Sequence, residues 1–136
     1  RWFELLGITP LPCPDVTGYT SWYRRYQAIT AETLLADLTG IRGLSPAPSI
    51  FQIDDGWEPF IGDWLTTHPQ KFPNGIRHLT DRIHDRGLQA GLWLAPFVAE
   101  KDSELFKNHP DWIMRDPAGQ IVDCGCNWSG FYALDW

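Results

Sequence analysis

Apolar positions recur at helical spacing twice along this chain, and three short runs of apolar or aromatic residues alternate with them. Leu34, Leu35, Leu38 and Ile41 fall at i, i+1, i+4 and i+7, which is one face of an amphipathic helix. Thr30 precedes them as an N-cap, Ile29 is placed to staple onto Leu34, and Gly43 offers the left-handed residue that closes such a helix. A second helix is predicted to start at Asn74 as its N-cap, to bury Ile76, Leu79 and Ile83, and to stop at Gly87. The apolar runs read as strands: Gly18 to Tyr23, Ser49 to Asp54, and Leu88 to Leu94, the last closed by Pro96. Ser103 is placed to cap a short helix over 104–107, ended before Pro110. Pro10, Pro12 and Pro14 make residues 1–17 an irregular lead-in. The tail, rich in Asp, Gly and Trp, reads mostly as loop, with a turn over Asp116-Pro117-Ala118-Gly119.

The predicted order is β-α-β-α-β-α, an α/β chain of right-handed crossovers on a parallel sheet. Ligands of such sheets bind at the carboxyl ends of the strands, because the connecting loops converge there. The unusual side chains of this sequence fall at those ends: Trp22 and Tyr23, then Asp54, Asp55 and Trp57, then Trp93. Residues 58–73 form a connection far longer than the usual loop of about 2–6 residues, which marks it as functional.

Composition narrows the class. With 136 residues and 43% hydrophobic positions the chain can bury one core, and a net charge of −6 excludes a basic nucleic-acid or membrane-surface footprint. No uninterrupted apolar stretch of about 18 residues is present to span a bilayer. The start, Arg1-Trp2-Phe3-Glu4, has neither an initiator Met nor a signal-peptide core, so the chain is expected to be a piece of a longer one. Cys13, Cys124 and Cys126 are an odd set, read as loop thiols of a reducing compartment, which favours the cytoplasm. Cys124-Gly125-Cys126 is too closely spaced for structural zinc, and His68, His78, His84 and His109 show no i,i+4 pairing. Neither a metal nor another cofactor is expected.

Eight tryptophans remain to be explained. An indole offers a flat apolar face and an N–H donor, and a sugar ring has the complementary C–H face and hydroxyl edge. Paired acids beside indoles therefore suggest a carbohydrate ligand. Trp64, Trp112 and Trp128 are as readily core packing as sugar contacts, whereas Trp22, Trp57 and Trp93 sit at strand ends. Asp54 and Asp55 would point to opposite faces of a regular strand, so both can reach one ligand only where Gly56 breaks it. The competing reading is an Asp that caps the following turn beside a solvated neighbour. A retaining glycosidase needs two carboxyls about 5–5.5 Å apart astride the scissile bond. Adjacent residues suit gripping two hydroxyls of one ring instead, so the pair is assigned to binding and not to catalysis.

Seven motifs occur in order: Gly18-Tyr19-Thr20-Ser21-Trp22-Tyr23, Asp54-Asp55-Gly56-Trp57, Gly62-Asp63-Trp64, Lys71-Phe72-Pro73-Asn74-Gly75, Gly91-Leu92-Trp93-Leu94-Ala95-Pro96, His109-Pro110-Asp111-Trp112 and Phe131-Tyr132-Ala133-Leu134-Asp135. Together they resemble the catalytic domain of the family 36 α-galactosidases, or melibiases, which include raffinose-synthase-like transglycosylases. The resemblance runs from about residue 16 to the end. It implies a metal-independent, configuration-retaining (β/α)8-barrel glycosidase, with 18–136 as the N-terminal part of the barrel. A full barrel takes about 250 residues, so three to four βα units are expected here.

By that resemblance Asp54 and Asp55 hold galactose hydroxyls, Trp22 and Tyr23 match aromatic pocket positions, and Trp93 lines the sugar site, with Trp57 a looser match. The family's nucleophile, in a Lys-x-Asp pattern on the fourth strand, and its acid/base on a later strand have no counterpart in these residues. Asp135 is not that nucleophile, since Ala133 stands where the Lys would be. The expected function is the galactose-binding half of an α-galactosidase-like site with little or no activity alone. The alternatives are a non-catalytic, self-associating partial barrel with weak sugar binding, or part of a transglycosylase. A partial barrel leaves sheet edges and an apolar face uncovered, so a homo-oligomer is expected through them.

Overall fold

In a computed structural model of the chain, residues 1–12 and 15–135 are described. Cys13 and Trp136 lie outside the described residues. The elements run α1 (Trp2–Leu5), β1 (Gly18–Thr20), α2 (Trp22–Arg25), α3 (Ala31–Gly40), β2 (Ile50–Ile53), α4 (Arg77–His84), β3 (Gln89–Leu92), β4 (Val98–Glu100), α5 (Glu104–Asn108), a 3₁₀ turn over Pro110–Trp112, and β5 (Phe131–Ala133). Strands β1, β2 and β3 form the expected parallel sheet in that order, with Gly18 beside Ile50 and Gln52 beside Gly91.

Alternation along β2 decides what each face does. Phe51 and Ile53 are fully buried and join Leu34, Leu38, Leu79 and Ile83 from α3 and α4 in the main core. Burying each such side chain contributes roughly 1.5–3 kcal/mol. Gln52 points to the other face, toward the carboxyl-end loops, and Gly91 beside it leaves room: a Cβ there would come within 3.3 Å of the Gln52 Cβ. Helix α3 starts as its sequence predicts. The Thr30 hydroxyl accepts the Thr33 N–H at 3.1 Å, the Thr33 hydroxyl accepts the Thr30 N–H at 2.9 Å, and Ile29 and Leu34 are both buried in the same core. Ser103 likewise caps α5, its Oγ accepting the Phe106 N–H at 3.1 Å. The turn at Asp116 is also present, with Asp116 Oδ1 accepting the N–H groups of Ala118 and Gln120 at 2.9 and 2.8 Å.

Several expectations need correction. The first strand ends at Thr20, and Trp22 and Tyr23 lie on the helical turn α2 rather than on a strand. Tertiary bonds override the β preference of those aromatics. The Arg25 guanidinium is drawn onto Asp37 of α3 by two hydrogen bonds of 2.7 and 2.8 Å, and the Tyr19 hydroxyl donates to the same carboxylate at 2.7 Å. That brace ties β1, α2 and α3 together. Hydrogen bonding from Arg25 is the main reason that the Asp37 carboxyl is held below its ordinary range.

Helix α4 begins at Arg77 with Ile76 as its cap, not at Asn74, because Gly75 intervenes in the left-handed region at φ 71°. The third strand ends at Leu92, although the Trp93 N–H still donates to the Ile53 carbonyl at 2.9 Å. The lead-in contains one helical turn, α1. The tail is not mostly loop: β4 and β5 pair antiparallel, and bridges such as Ile113 to Leu134 extend them around a small second core of Ala99, Ile113 and Leu134. These strands have three residues each and pair across about thirty positions, too short for periodicity to mark. Among the described residues no helix is long and apolar enough to cross a membrane. Cys124 and Cys126 are exposed and unpaired with each other.

Candidate functional site at the carboxyl ends of the strands

Asp54 leaves β2 as the last residue held by strand neighbours. Its Oδ2 accepts the Thr20 hydroxyl of β1 at 3.0 Å and the Gln52 amide at 2.7 Å, while its backbone N–H donates to Ser21 Oγ at 2.9 Å. Its Oδ1 accepts the Asp55 N–H at 3.0 Å, so the first acid fixes the backbone of the second. Gly56 then breaks the strand at φ 107°, in a region that L side chains rarely adopt, and packs against the Gln27 backbone. That close approach delivers the Gln27 amide to Asp55 Oδ2 at 2.9 Å. Lys71 clamps the same corner, its Nζ donating to the carbonyls of Gln27 and Gly56 at 2.8 and 3.2 Å.

Asp55 is only 2% exposed. The Trp128 indole N–H also donates to its Oδ2, at 2.7 Å, from a loop 73 residues away. That loop is anchored by Glu100 of β4. Its Oε1 accepts the Ser129 N–H and hydroxyl at 3.0 and 2.7 Å, and its Oε2 accepts the Ile61 N–H at 2.8 Å. Glu58 is 4% exposed, and its Oε1 accepts the Gly56 N–H at 3.3 Å. Burial first, and then contact with Asp55, pushes the Glu58 carboxyl up to about 8.

The indoles form a continuous line across this end of the sheet. Trp57 meets Trp64 at 6.1 Å between ring centroids, Trp64 meets Trp93 at 6.2 Å, Trp93 meets Trp128 at 6.1 Å, and Trp128 meets Phe131 at 5.1 Å. Trp57 is part of the main core, and its N–H donates to the Trp93 carbonyl at 3.0 Å. Two cavities border Asp55. One of about 400 Å³ is lined by Glu58, Lys71, Glu100 and Trp128 among others, and one of about 290 Å³ by Trp22, Gln27, Asn127 and Trp128. The structure thus brings Trp22 and Trp93 together with Asp55 through Trp128. Tyr23 is 82% exposed, and Tyr23, Trp57, Trp93 and Asp54 line neither cavity; Trp93 meets the group through its ring contact with Trp128, and Asp54 through Gln52, Thr20 and the Asp55 backbone.

Gln27, Glu58, Lys71 and Glu100 were not singled out by sequence reasoning as site residues. Glu58 carries a weak signal, a third acid three residues after Asp55. Gln27 and Glu100 carry none, since their roles depend on the Gly56 approach and on the β4–β5 pairing. Chemically the corner offers carboxylate acceptors beside flat apolar rings, with neighbouring acids that cannot stand on opposite sides of one bond.

Parallel βα units with acids and indoles gathered at the strands' carboxyl ends define an α/β protein of the kind that places ligand sites at that end of its sheet. The family model for melibiases matches residues 22–124. The chain belongs to the melibiase family. It is 40% identical over 75 residues to an α-galactosidase of Lactobacillus acidophilus, which covers 50% of this chain and 10% of that protein. An α-galactosidase of Escherichia coli is 39% identical over 74 residues, covering 49% and 10% of the two chains. The structure of the Thermus thermophilus α-galactosidase in complex with stachyose superposes with a TM-score of 0.85 at 42% identity, over 93% of this chain and 27% of that one. The chain therefore spans about a tenth of the length of these curated relatives and about a quarter of the solved one.

Proposed function

We propose that this chain is the N-terminal three to four βα units of a (β/α)8-barrel α-galactosidase and holds the galactose-gripping half of its site. The observation that carries the reading is the Asp54-Asp55 pair, locked at the end of β2 by Gly56 and faced by indoles. Asp54 and Asp55 accept sugar hydroxyls, with Trp22 at the pocket's apolar side and Trp93 packed on Trp128. The solved Thermus thermophilus relative holds stachyose in one structure and p-nitrophenyl α-D-galactopyranoside in another, which makes an α-galactoside the ligand to try first. The double-displacement chemistry belongs to carboxylates on later strands, so the chain alone binds without turnover.

Hydrolysis of an aryl α-galactoside by highly purified protein, together with galactose binding, tests this reading. Saturable binding with no turnover above the blank is expected. Asp54→Ala and Asp55→Ala each weaken binding at least tenfold, since a hydrogen bond to a charged group contributes about 1.5–3 kcal/mol. Turnover that either substitution abolishes would show a catalytic chain, and raffinose as donor would then separate hydrolysis from glycosyl transfer by product.

One further observation favours self-association. Leu92 on β3 is 41% exposed, and Leu94 and Phe97 just beyond it are exposed as well, beside a strand edge without a neighbour among the described residues. Light scattering at micromolar concentration is expected to give a dimer or larger species, and a clean monomer would contradict it.

A further inference from the structure

Two carboxyl oxygens near the turn after β2 are buried without a hydrogen-bond donor: Asp55 Oδ1 and Glu58 Oε2. Leaving either unpaired is costly, and two ionised carboxyls in contact repel. One shared proton removes both penalties. Its location follows from the donors. Asp55 Oδ2 accepts two N–H groups, from Gln27 at 2.9 Å and Trp128 at 2.7 Å, which stabilise its ionised form. Glu58 Oε1 accepts from the Gly56 N–H at a longer 3.3 Å, a weaker hold on charge, and Glu58 is left with the proton. We propose that Glu58 is a positioning acid that donates a hydrogen bond to Asp55 Oδ1 and fixes the Asp55 carboxylate for the sugar. The proposal rests on the galactose-binding reading above.

With Glu58 in place, three of about four acceptor positions on Asp55 are assigned to protein donors, and one is left for a ligand hydroxyl. The carboxylate then has one orientation instead of several. The other titratable groups around the same cavity are His68, whose Nδ1 is likewise buried without a partner, Lys71, Glu100 and Asp102. Lys71 is spent on the carbonyls of Gln27 and Gly56 and so does not neutralise an ionised Glu58, and Glu100, an acid that accepts from Ser129 and Ile61, adds no positive charge.

The sign of the pH dependence follows. Glu58 ionises near pH 8 in the fold, raised from 4.5. Its contribution to stability is complete below about 4.5 and is lost as the pH rises through about 8. Galactose affinity should fall over the upper part of the same window, because the donor to Asp55 becomes a like charge.

The test compares wild type, Glu58→Gln and Glu58→Ala in galactose titrations on either side of pH 8. Wild type is expected to lose about tenfold in affinity on the alkaline side. Glu58→Gln keeps the neutral-pH affinity and flattens the profile, since its amide can donate to Asp55 and accept from Gly56. Glu58→Ala binds weakly throughout. A Gln variant that retains the alkaline loss, or that binds as poorly as the Ala variant, would overturn the proposal. An isotope-edited infrared spectrum without sugar keeps the two claims separate. A protonated-carboxyl band in wild type at neutral pH that Glu58→Gln removes supports the acid pair even if galactose fails to bind, and its absence refutes it.

Discussion

Gly56→Ala is expected to lower the stability of the whole chain and to abolish galactose binding in any fraction that still folds. Two penalties add at this position. The backbone sits at φ 107°, which strains an L side chain by about 1–3 kcal/mol. The new methyl would also lie 2.7 Å from the Gln27 carbonyl oxygen and 2.9 Å from its Cα, backbone atoms that cannot swing aside, and such overpacking costs a further 1–3 kcal/mol or so. Relief requires the segment carrying Gln27 to retreat from the turn. That motion withdraws the Gln27 amide from Asp55 and the carbonyls from Lys71, so the defect reaches the site directly. Thermal unfolding monitored by circular dichroism reads the first effect. A midpoint unchanged from wild type would contradict the close approach at Gly56.

Phe51→Ala and Gln52→Ala, adjacent on β2, are expected to separate stability from binding. Phe51 is fully buried in the helix-facing core and stacks on Tyr19 at 4.5 Å. Its truncation should cost about 3–5 kcal/mol. Gln52 is half-buried on the opposite face, and its amide holds Asp54 Oδ2 at 2.7 Å. Its truncation should cost about 1 kcal/mol of stability, yet leave Asp54 held on Oδ2 only by Thr20, with a measurable loss of sugar affinity. Urea unfolding and galactose titration of both variants check the split. Equal destabilisation by the two would mean that the faces of β2 are not divided in this way.

What the sequence made legible was local. The spacing of Leu34, Leu38, Leu79 and Ile83, the caps at Thr30 and Ser103 and the break at Gly56 each involve residues within one or two turns of each other. The structure places them as that chemistry requires. The order of these elements was enough to indicate a parallel sheet, and seven motifs in order were enough to indicate the family. Features that depend on distant partners were not legible. Trp22 and Tyr23 are helical because Asp37 captures Arg25, a contact that strand propensity cannot register. Trp128 reaches Asp55 only because β4 and β5 pair and Glu100 anchors the loop between them. Glu58 reads as one more acid until its burial and its place against Asp55 are known.

The central claim is that Asp54 and Asp55 grip a galactose ring beside the line of indoles. The most direct measurement is a galactose titration followed by tryptophan fluorescence, run in parallel on wild type and Asp54→Ala. Trp128 donates to Asp55 and Trp22 lines the same cavity, so wild type should give a saturable spectral change that Asp54→Ala loses. No saturable change in wild type, or the same change in both proteins, would contradict the account.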